Sequence, residues 1–312
     1  MSEETTYHVP VLLTESVDAL DIRPDGTYVD VTFGGGGHSR EILRRLGPDG
    51  RLIAFDQDAD AQRNMPDDPR FTLVHHNFRY IADFIDYMGA GPVDGVLGNL
   101  GVSSHHFDEG GRGFSFRQDG PLDMRMNREA TQTAADIVNT YEAEALAHIL
   151  GAWGEVDKPF RIANAITKAR SASGVCTTSA LREIVESVTP RQEQNKTLTK
   201  VFQALRIEVN HEMDALDMML RGCARIIRPG GRMSMISYHS LEDRMVKNMV
   251  KSGDPQKAQA EQDVVFGTVA VPFGGGPRKP VTPSADEVER NPRARSAKLR
   301  WAERLGKGGR RD

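Results

Sequence analysis

The sequence predicts an α/β fold: a parallel sheet with helices on both faces, interrupted by a long helical insertion. Three observations carry that prediction. The first hundred residues alternate β-like runs with helical periods. Four glycines, residues 34–37, follow the first of these runs and open a helix. Finally, 133 positions separate Asn99, at the end of the fourth strand pattern, from Arg232, at the start of the fifth. A β-α-β unit usually needs about 30 residues, so an insertion of about 100 must sit inside the sheet domain.

The elements follow in order. Residues 27–32 (TYVDVT) read as a strand, and residues 39–46 as a helix ended by Gly47. Residues 51–56 (RLIAFD) and 71–76 supply the second and third strands. Phe78, Ile81, Phe84, Ile85 and Met88 then fall at helical spacing, with Gly89 as the stop signal. Residues 93–99 (VDGVLGN) form the fourth strand. The insertion opens with a glycine-rich loop over 101–126, too long for a simple connector. Helical patterns follow at 133–139, 142–153, 159–172 and 178–188, and one long helix is expected over 197–227, its second half returning to the sheet. Residues 232–238 give the fifth strand. Ser240 is the expected cap of the next helix, with Asp243 answering it as in a capping box. Residues 253–283 read as irregular, and 295–301 as a late strand at the sheet edge.

Composition bounds the function. The chain has 312 residues with 38% hydrophobic, enough for a sizeable core and too apolar for a disordered polymer. No run approaches the roughly 18 apolar residues of a membrane helix. The first residues are polar and acidic, without the basic and apolar regions of a secretion signal, so a cytoplasmic protein is expected. Cys176 and Cys223 form no Cys-x-x-Cys pair, which argues against a zinc cluster or disulfide scaffold and makes both ordinary core residues. The net charge of −4 hides an asymmetry. Residues 290–311 carry nine basic side chains against one acid, or +8, leaving −12 on the rest. Such a segment is either a phosphate-binding arm or a solvated tail.

The glycine cluster is the first chemical signal, because missing Cβ atoms let a ligand approach the backbone at a helix start. Asp56 ends the next strand 22 residues after Gly34, a position suited to ribose hydroxyls. Together they suggest an adenosine-type cofactor without separating NAD from S-adenosylmethionine. Phe78 either stacks on adenine or belongs to the apolar stripe of its helix. Asp30 either binds amides of the glycine loop or falls on the exposed strand end. Asn99 lies at the C-terminal end of the fourth strand, where open α/β sheets place ligands. Adjacent His105 and His106 point different ways, so a shared metal is not expected. His239 holds the same edge after the fifth strand, as a site residue or a structural one. The loop over 113–126 is expected to clamp substrate, to strap domains together by burying Phe114, Phe116 and Met124, or to do both, since the two readings are compatible.

These residues resemble the RsmH (MraW) methyltransferases, which methylate the exocyclic N4 of a cytosine in small-subunit ribosomal RNA. The resemblance runs through Arg23-Pro-Asp-Gly-Thr-Tyr-Val-Asp30, Thr32-Phe-Gly with Gly36-Gly-His-Ser39, Gly101-Val-Ser-Ser104 and Arg112-Gly-Phe-Ser-Phe116. It continues in Gly120-Pro-Leu-Asp-Met-Arg-Met126, Phe202-Gln-Ala-Leu-Arg-Ile207, Tyr238-His-Ser-Leu-Glu-Asp-Arg244 and Asn291-Pro-Arg-Ala-Arg-Ser296. It implies a Rossmann-like S-adenosylmethionine-dependent methyltransferase sheet over residues 1–105 and 206–312. An inserted all-helical substrate-recognition domain is implied over 106–205. It implies S-adenosylmethionine as cofactor, contacted by Gly36, Gly37, His38, Asp56, Phe78, Asn99 and His106, and no metal. Small-subunit ribosomal RNA, within the small ribosomal subunit, is the implied partner.

Two positions depart from the pattern: His106 stands where many members have glutamine, and Asn99 where the family has aspartate. Losing that carboxylate weakens a contact by on the order of 1 kcal/mol, or removes a proton acceptor. Asn99, through its carbonyl, and His239, as a proton acceptor, are the expected catalytic residues. The alternatives are a non-catalytic RNA-binding or assembly protein on the same fold, and a nicotinamide oxidoreductase using the same glycine turn.

Overall fold

The computed structural model describes residues 10–101, 110–257 and 271–306. The chain divides into two compact units, one built from Met1–Gly101 with Met213–Asp312 and the other from Val102–Glu212.

The first unit is an α/β sheet. Its strands are β1 (Thr27–Asp30), β2 (Arg51–Asp56), β3 (Phe71–His75), β4 (Val93–Asn99), β5 (Ile227–Ser237), β6 (Phe273–Gly274) and β7 (Lys298–Arg304). They lie in the order β3-β2-β1-β4-β5-β7-β6. The five strands β3, β2, β1, β4 and β5 run parallel, and β7 runs antiparallel to both of its neighbours. The parallel strands are nearly continuous apolar runs because both sheet faces are covered: Tyr28, Val29, Leu52, Phe55, Val96 and Leu97 are all buried.

Because β1 pairs with β2 on one side and β4 on the other, the strand order reverses there, making a topological switch point. Leaving β1, Val31 N–H donates to Leu97 O of β4 and Phe33 N–H to Phe55 O of β2, both at 2.9 Å. The chain then turns into the glycines and into helix α2 (Gly37–Arg45), which follows α1 (Leu13–Asp18). The third helix, α3 (Ile81–Tyr87), joins β3 to β4.

The second unit is helical: α4 (Ala134–Thr140), α5 (Ala143–Ala152), α6 (Pro159–Arg170), α7 (Thr178–Ser187) and α8 (Gln194–Asn210). Leu146, Leu150, Ile162, Leu181, Val201 and Leu205 form its core. Phe114, Leu122, Met124 and Met126 are buried in the same core, so the long loop packs as part of this unit. Its polar groups also bond within the loop: Asp123 pairs with Arg125 at 2.7 Å, and Arg112 donates to the carbonyls of Arg125 and Met126.

The chain returns to the sheet unit through α9 (Glu212–Ile226), followed after β5 by α10 (Ser240–Ser252) and later by α11 (Ala285–Arg290). Three sequence expectations change here. The single helix over 197–227 is two, because His211 takes a left-handed conformation (φ 48°) and ends α8. The late strand is not at the edge; β7 fills the place between β5 and the short β6. Of the cysteines only Cys223 is buried, while Cys176 is exposed. Among the described residues no helix is long and apolar enough to cross a membrane.

Candidate functional site

The switch point gathers the exits of β1, β2, β3 and β4. Asp30, fully buried at the end of β1, accepts hydrogen bonds from Thr32 N–H at 3.0 Å and the Ser39 hydroxyl at 2.7 Å. It thus fastens strand to helix. Burial raises its carboxyl pKa, and the bonds from Ser39 and Thr32 oppose that rise. Of the two readings of Asp30, the buried one holds, with Thr32 rather than a glycine amide as the backbone partner.

The glycine amide belongs to Asp56. Its Oδ2 accepts Gly34 N–H at 2.8 Å, and its Oδ1 accepts Asp58 N–H at 2.8 Å. A carboxylate offers about four acceptor sites, enough to serve these amides and a ribose hydroxyl. The loop carbonyls are held as well. Asn64 donates to Gly34 O at 3.0 Å, and Arg40 donates to Gly35 O at 2.7 Å. Neither Asn64 nor Arg40 was legible as a site residue, because neither lies in the glycine motif's fixed spacing.

Within the cluster the glycines differ. A Cβ on Gly34 (φ +49°) or Gly35 would meet nothing within 4 Å, so the loop faces open space there. Gly36 (φ +74°) is the N-cap of α2, which has no side-chain cap, leaving the first-turn amides to be satisfied from outside. Gly37 instead makes room for Pro10, whose ring would overlap a Cβ at that position. His38 is buried beside the same N-terminal segment. Its Nε2 lies 3.2 Å from Val11 O, and burial lowers its pKa to about 4, so the ring is neutral and donates to that carbonyl.

Phe78 does not lie in the α3 stripe. It opens a separate 3₁₀ turn, Phe78–Tyr80, just beyond β3 and capped by Asn77, and it is half-buried. The Asn77 amide in turn donates to Gln57 Oε1 at 2.8 Å, tying the β3 exit to the β2 exit. Phe84 instead packs its ring against Phe55 and His76.

At the end of β4, Asn99 N–H donates to Thr32 Oγ1 at 2.7 Å. The Asn99 side chain accepts a hydrogen bond on Oδ1 from the Tyr238 hydroxyl at 2.8 Å. Burial raises the Tyr238 pKa, opposed by the bond to Asn99, so the phenol stays protonated as a donor. His239, next in the chain, is the N-cap of α10, displacing Ser240 from that role. Its ring accepts Glu242 N–H at Nδ1, while Glu242 answers through His239 N–H at 3.3 Å, so Glu242 rather than Asp243 completes the box. His239 Nε2 lies 3.0 Å from Glu242 Oε1, close enough for an ion pair when protonated but not aligned as a hydrogen bond. His105 and His106 lie outside the described residues.

The basic C-terminal segment is not a uniform arm. Arg300 and Arg304 belong to β7: Arg300 binds Asp243 at 2.6 and 3.2 Å, and Arg304 donates to Ala224, Pro272 and Leu305 carbonyls. Lys298 lies 3.6 Å from the same Asp243. Arg293 and Arg295 are exposed in a short 3₁₀ helix, Pro292–Ser296.

The donor set fits an adenosine cofactor. Two bare glycine positions, an uncapped helix start, a carboxylate at the β2 exit and an aromatic ring at the β3 exit converge on one edge of the sheet. A sequence model of the MraW methylase family matches residues 5–305. Ribosomal RNA small subunit methyltransferase H of Bacteroides fragilis (strain YCH46) is 58% identical over 302 residues, covering 97% of this chain and 99% of that one. Proteins of the same name from Parabacteroides distasonis and Phocaeicola vulgatus are 57% and 53% identical, each over 97% of this chain and at least 99% of their own.

Proposed function

The chain belongs to the MraW methylase family, and from that premise we propose that it methylates the N4 amino group of a cytosine in small-subunit (16S) ribosomal RNA, with S-adenosylmethionine as donor. The observation that carries the reading is the bare glycine edge at the switch point, with Asp56 bonded to Gly34, in a chain 58% identical to a small-subunit ribosomal RNA methyltransferase. A cytoplasmic location follows from that substrate.

S-adenosylmethionine, when bound, supplies a methyl group activated by its sulfonium. Gly34, Gly35 and Gly36 with the start of α2 offer backbone to it, Asp56 accepts its ribose hydroxyls, and the Phe78 ring covers its adenine. Gly37 and His38 act one step removed, by seating Pro10 and Val11 against α2.

The target nitrogen is a poor nucleophile because its lone pair is delocalised into the cytosine ring, so alignment carries much of the catalysis. The Asn99 carbonyl has two lone pairs. One receives Tyr238; the other accepts an N–H of the target amine and orients the nitrogen as it rehybridises. The proton lost afterwards passes to water: His239 accepts the Glu242 amide at Nδ1, and its Nε2 is buried beside the Glu242 carboxylate. The base must leave its stack to reach such a site. We assign RNA-backbone contacts to the helical unit, where Lys158, Arg161 and Lys168 are exposed on or beside α6, and to Arg293 and Arg295.

The test is incubation of small subunits from a strain lacking this enzyme with labelled S-adenosylmethionine, followed by nucleoside mass spectrometry. N4-methylcytidine is the expected product. No product from the wild type, but clear product from Asn99→Asp, would replace the proposal with a non-catalytic RNA-binding protein.

A further inference from the structure

We propose that Tyr238 is the positioning residue of this site: its hydroxyl fixes the orientation of the Asn99 side chain, and Glu242 fixes Tyr238. The inference rests on the methyltransferase reading for what Asn99 does, but its geometry stands apart.

An asparagine amide can present either its oxygen or its nitrogen to a ligand, and the two ends differ in hydrogen-bond polarity. At the end of a strand, with its own backbone fixed by Thr32, Asn99 still has a free choice between them. The Tyr238 hydroxyl, 2.8 Å from Oδ1, makes that choice. Burial keeps the phenol protonated, so the donor persists through the neutral range. Among the described residues the Nδ2 group has no hydrogen-bond partner, so of their side chains Tyr238 is the one that orients the amide.

Tyr238 is held on two sides. Its backbone N–H donates to Glu242 Oε2 at 2.8 Å, and Glu242 is itself buried at the first turn of α10. Its ring lies against Gly101, where a Cβ would come within 3.1 Å of Tyr238 Cδ2. Gly101 has φ +96°, a conformation other residues rarely adopt, which lets the chain leave β4 beneath the ring. The order at the start of α10 therefore passes through one side chain to the exit of β4, across 139 positions of sequence.

A double-mutant cycle separates positioning from a merely structural role. Turnover on small subunits, S-adenosylhomocysteine affinity by calorimetry and the melting temperature are measured for wild type, Tyr238→Phe, Asn99→Ala and the double variant. Tyr238→Phe is expected to lower kcat about tenfold and weaken S-adenosylhomocysteine about threefold, the scale of a misplaced but retained site group. In the Asn99→Ala background the same change should alter neither by more than about twofold. Equal losses in both backgrounds, or losses that follow the melting temperature, would overturn the proposal. A wild type without turnover would end the methyltransferase reading alone. The calorimetric cycle then decides: coupling between the two changes supports positioning, and additivity defeats it.

Discussion

Arg300 of β7 grips Asp243 of α10 through two parallel hydrogen bonds, 2.6 Å and 3.2 Å long, with both side chains largely shielded from water. Burial alone would raise the Asp243 pKa; the Arg300 and Lys298 cations outweigh it and hold the carboxyl below its usual range. Removing Arg300 leaves a mostly buried carboxylate with only Lys298 nearby. Arg300→Ala is expected to cost roughly 2–3 kcal/mol, below the range for a fully buried pair. Urea titration of wild type and variant measures it; a shift under about 0.5 kcal/mol would show that the pair is a surface contact in effect.

Arg293 and Arg295 should behave differently, because they are exposed and outside β7. Replacing both by alanine is expected to leave the urea midpoint in place, weaken RNA binding and reduce the magnitude of the slope of log K against log salt by about 1.5. Filter binding at several salt concentrations reads the slope. An unaltered slope would remove these two arginines from the RNA surface.

His38 makes stability depend on acid. Its folded pKa is about 4, lowered by burial, against about 6.5 for an exposed imidazole. The unfolded chain therefore binds more protons between those values, so stability is complete above about pH 6.5 and falls as pH drops toward 4. The loss attributable to this group approaches about 3 kcal/mol at the bottom of the window. His38→Gln, which can still donate to Val11 O, should flatten that part of the curve. Chemical unfolding at pH 4 to 8 checks it, and parallel curves for both proteins would refute the assignment.

Asp56→Ala removes the acceptor of two backbone amides as well as the expected ribose partner. S-adenosylhomocysteine should bind at least about tenfold more weakly, the scale of a lost hydrogen bond to a charged group. Calorimetry gives the affinity directly. Asn64→Ala, which only releases the Gly34 carbonyl, should weaken it by less, about threefold.

Much of the sheet was readable because parallel strands buried on both faces are short apolar runs, and residues 93–99 matched β4 from end to end. The switch at His211 was not readable: it carries none of the glycine or proline signals that usually end a helix. The local turn at Phe78 was not readable for a related reason. Its spacing fits the α3 stripe, but Asn77 caps a separate turn in front of that helix. The capping box of α10 was placed one residue late, since a histidine ring is a rare cap and Ser240 beside it is a common one.

By itself the sequence determined the five parallel strands, most of the helices, the glycine turn with its acid 22 residues on, and the family those motifs resemble. Periodicity, turn chemistry and short motifs are local, and each can be read within a few tens of residues. Only the tertiary structure decided which partner each polar group takes. Arg300 meets Asp243 across 57 positions and Tyr238 meets Asn99 across 139. A hydrogen bond forms only within about 3 Å and along a narrow range of angles, so those pairings exist only once packing of the sheet and its helices has set the distances. That packing pairs Arg300 of the basic segment with a helix and makes His239 the cap of α10, contacts that no local pattern in the sequence shows.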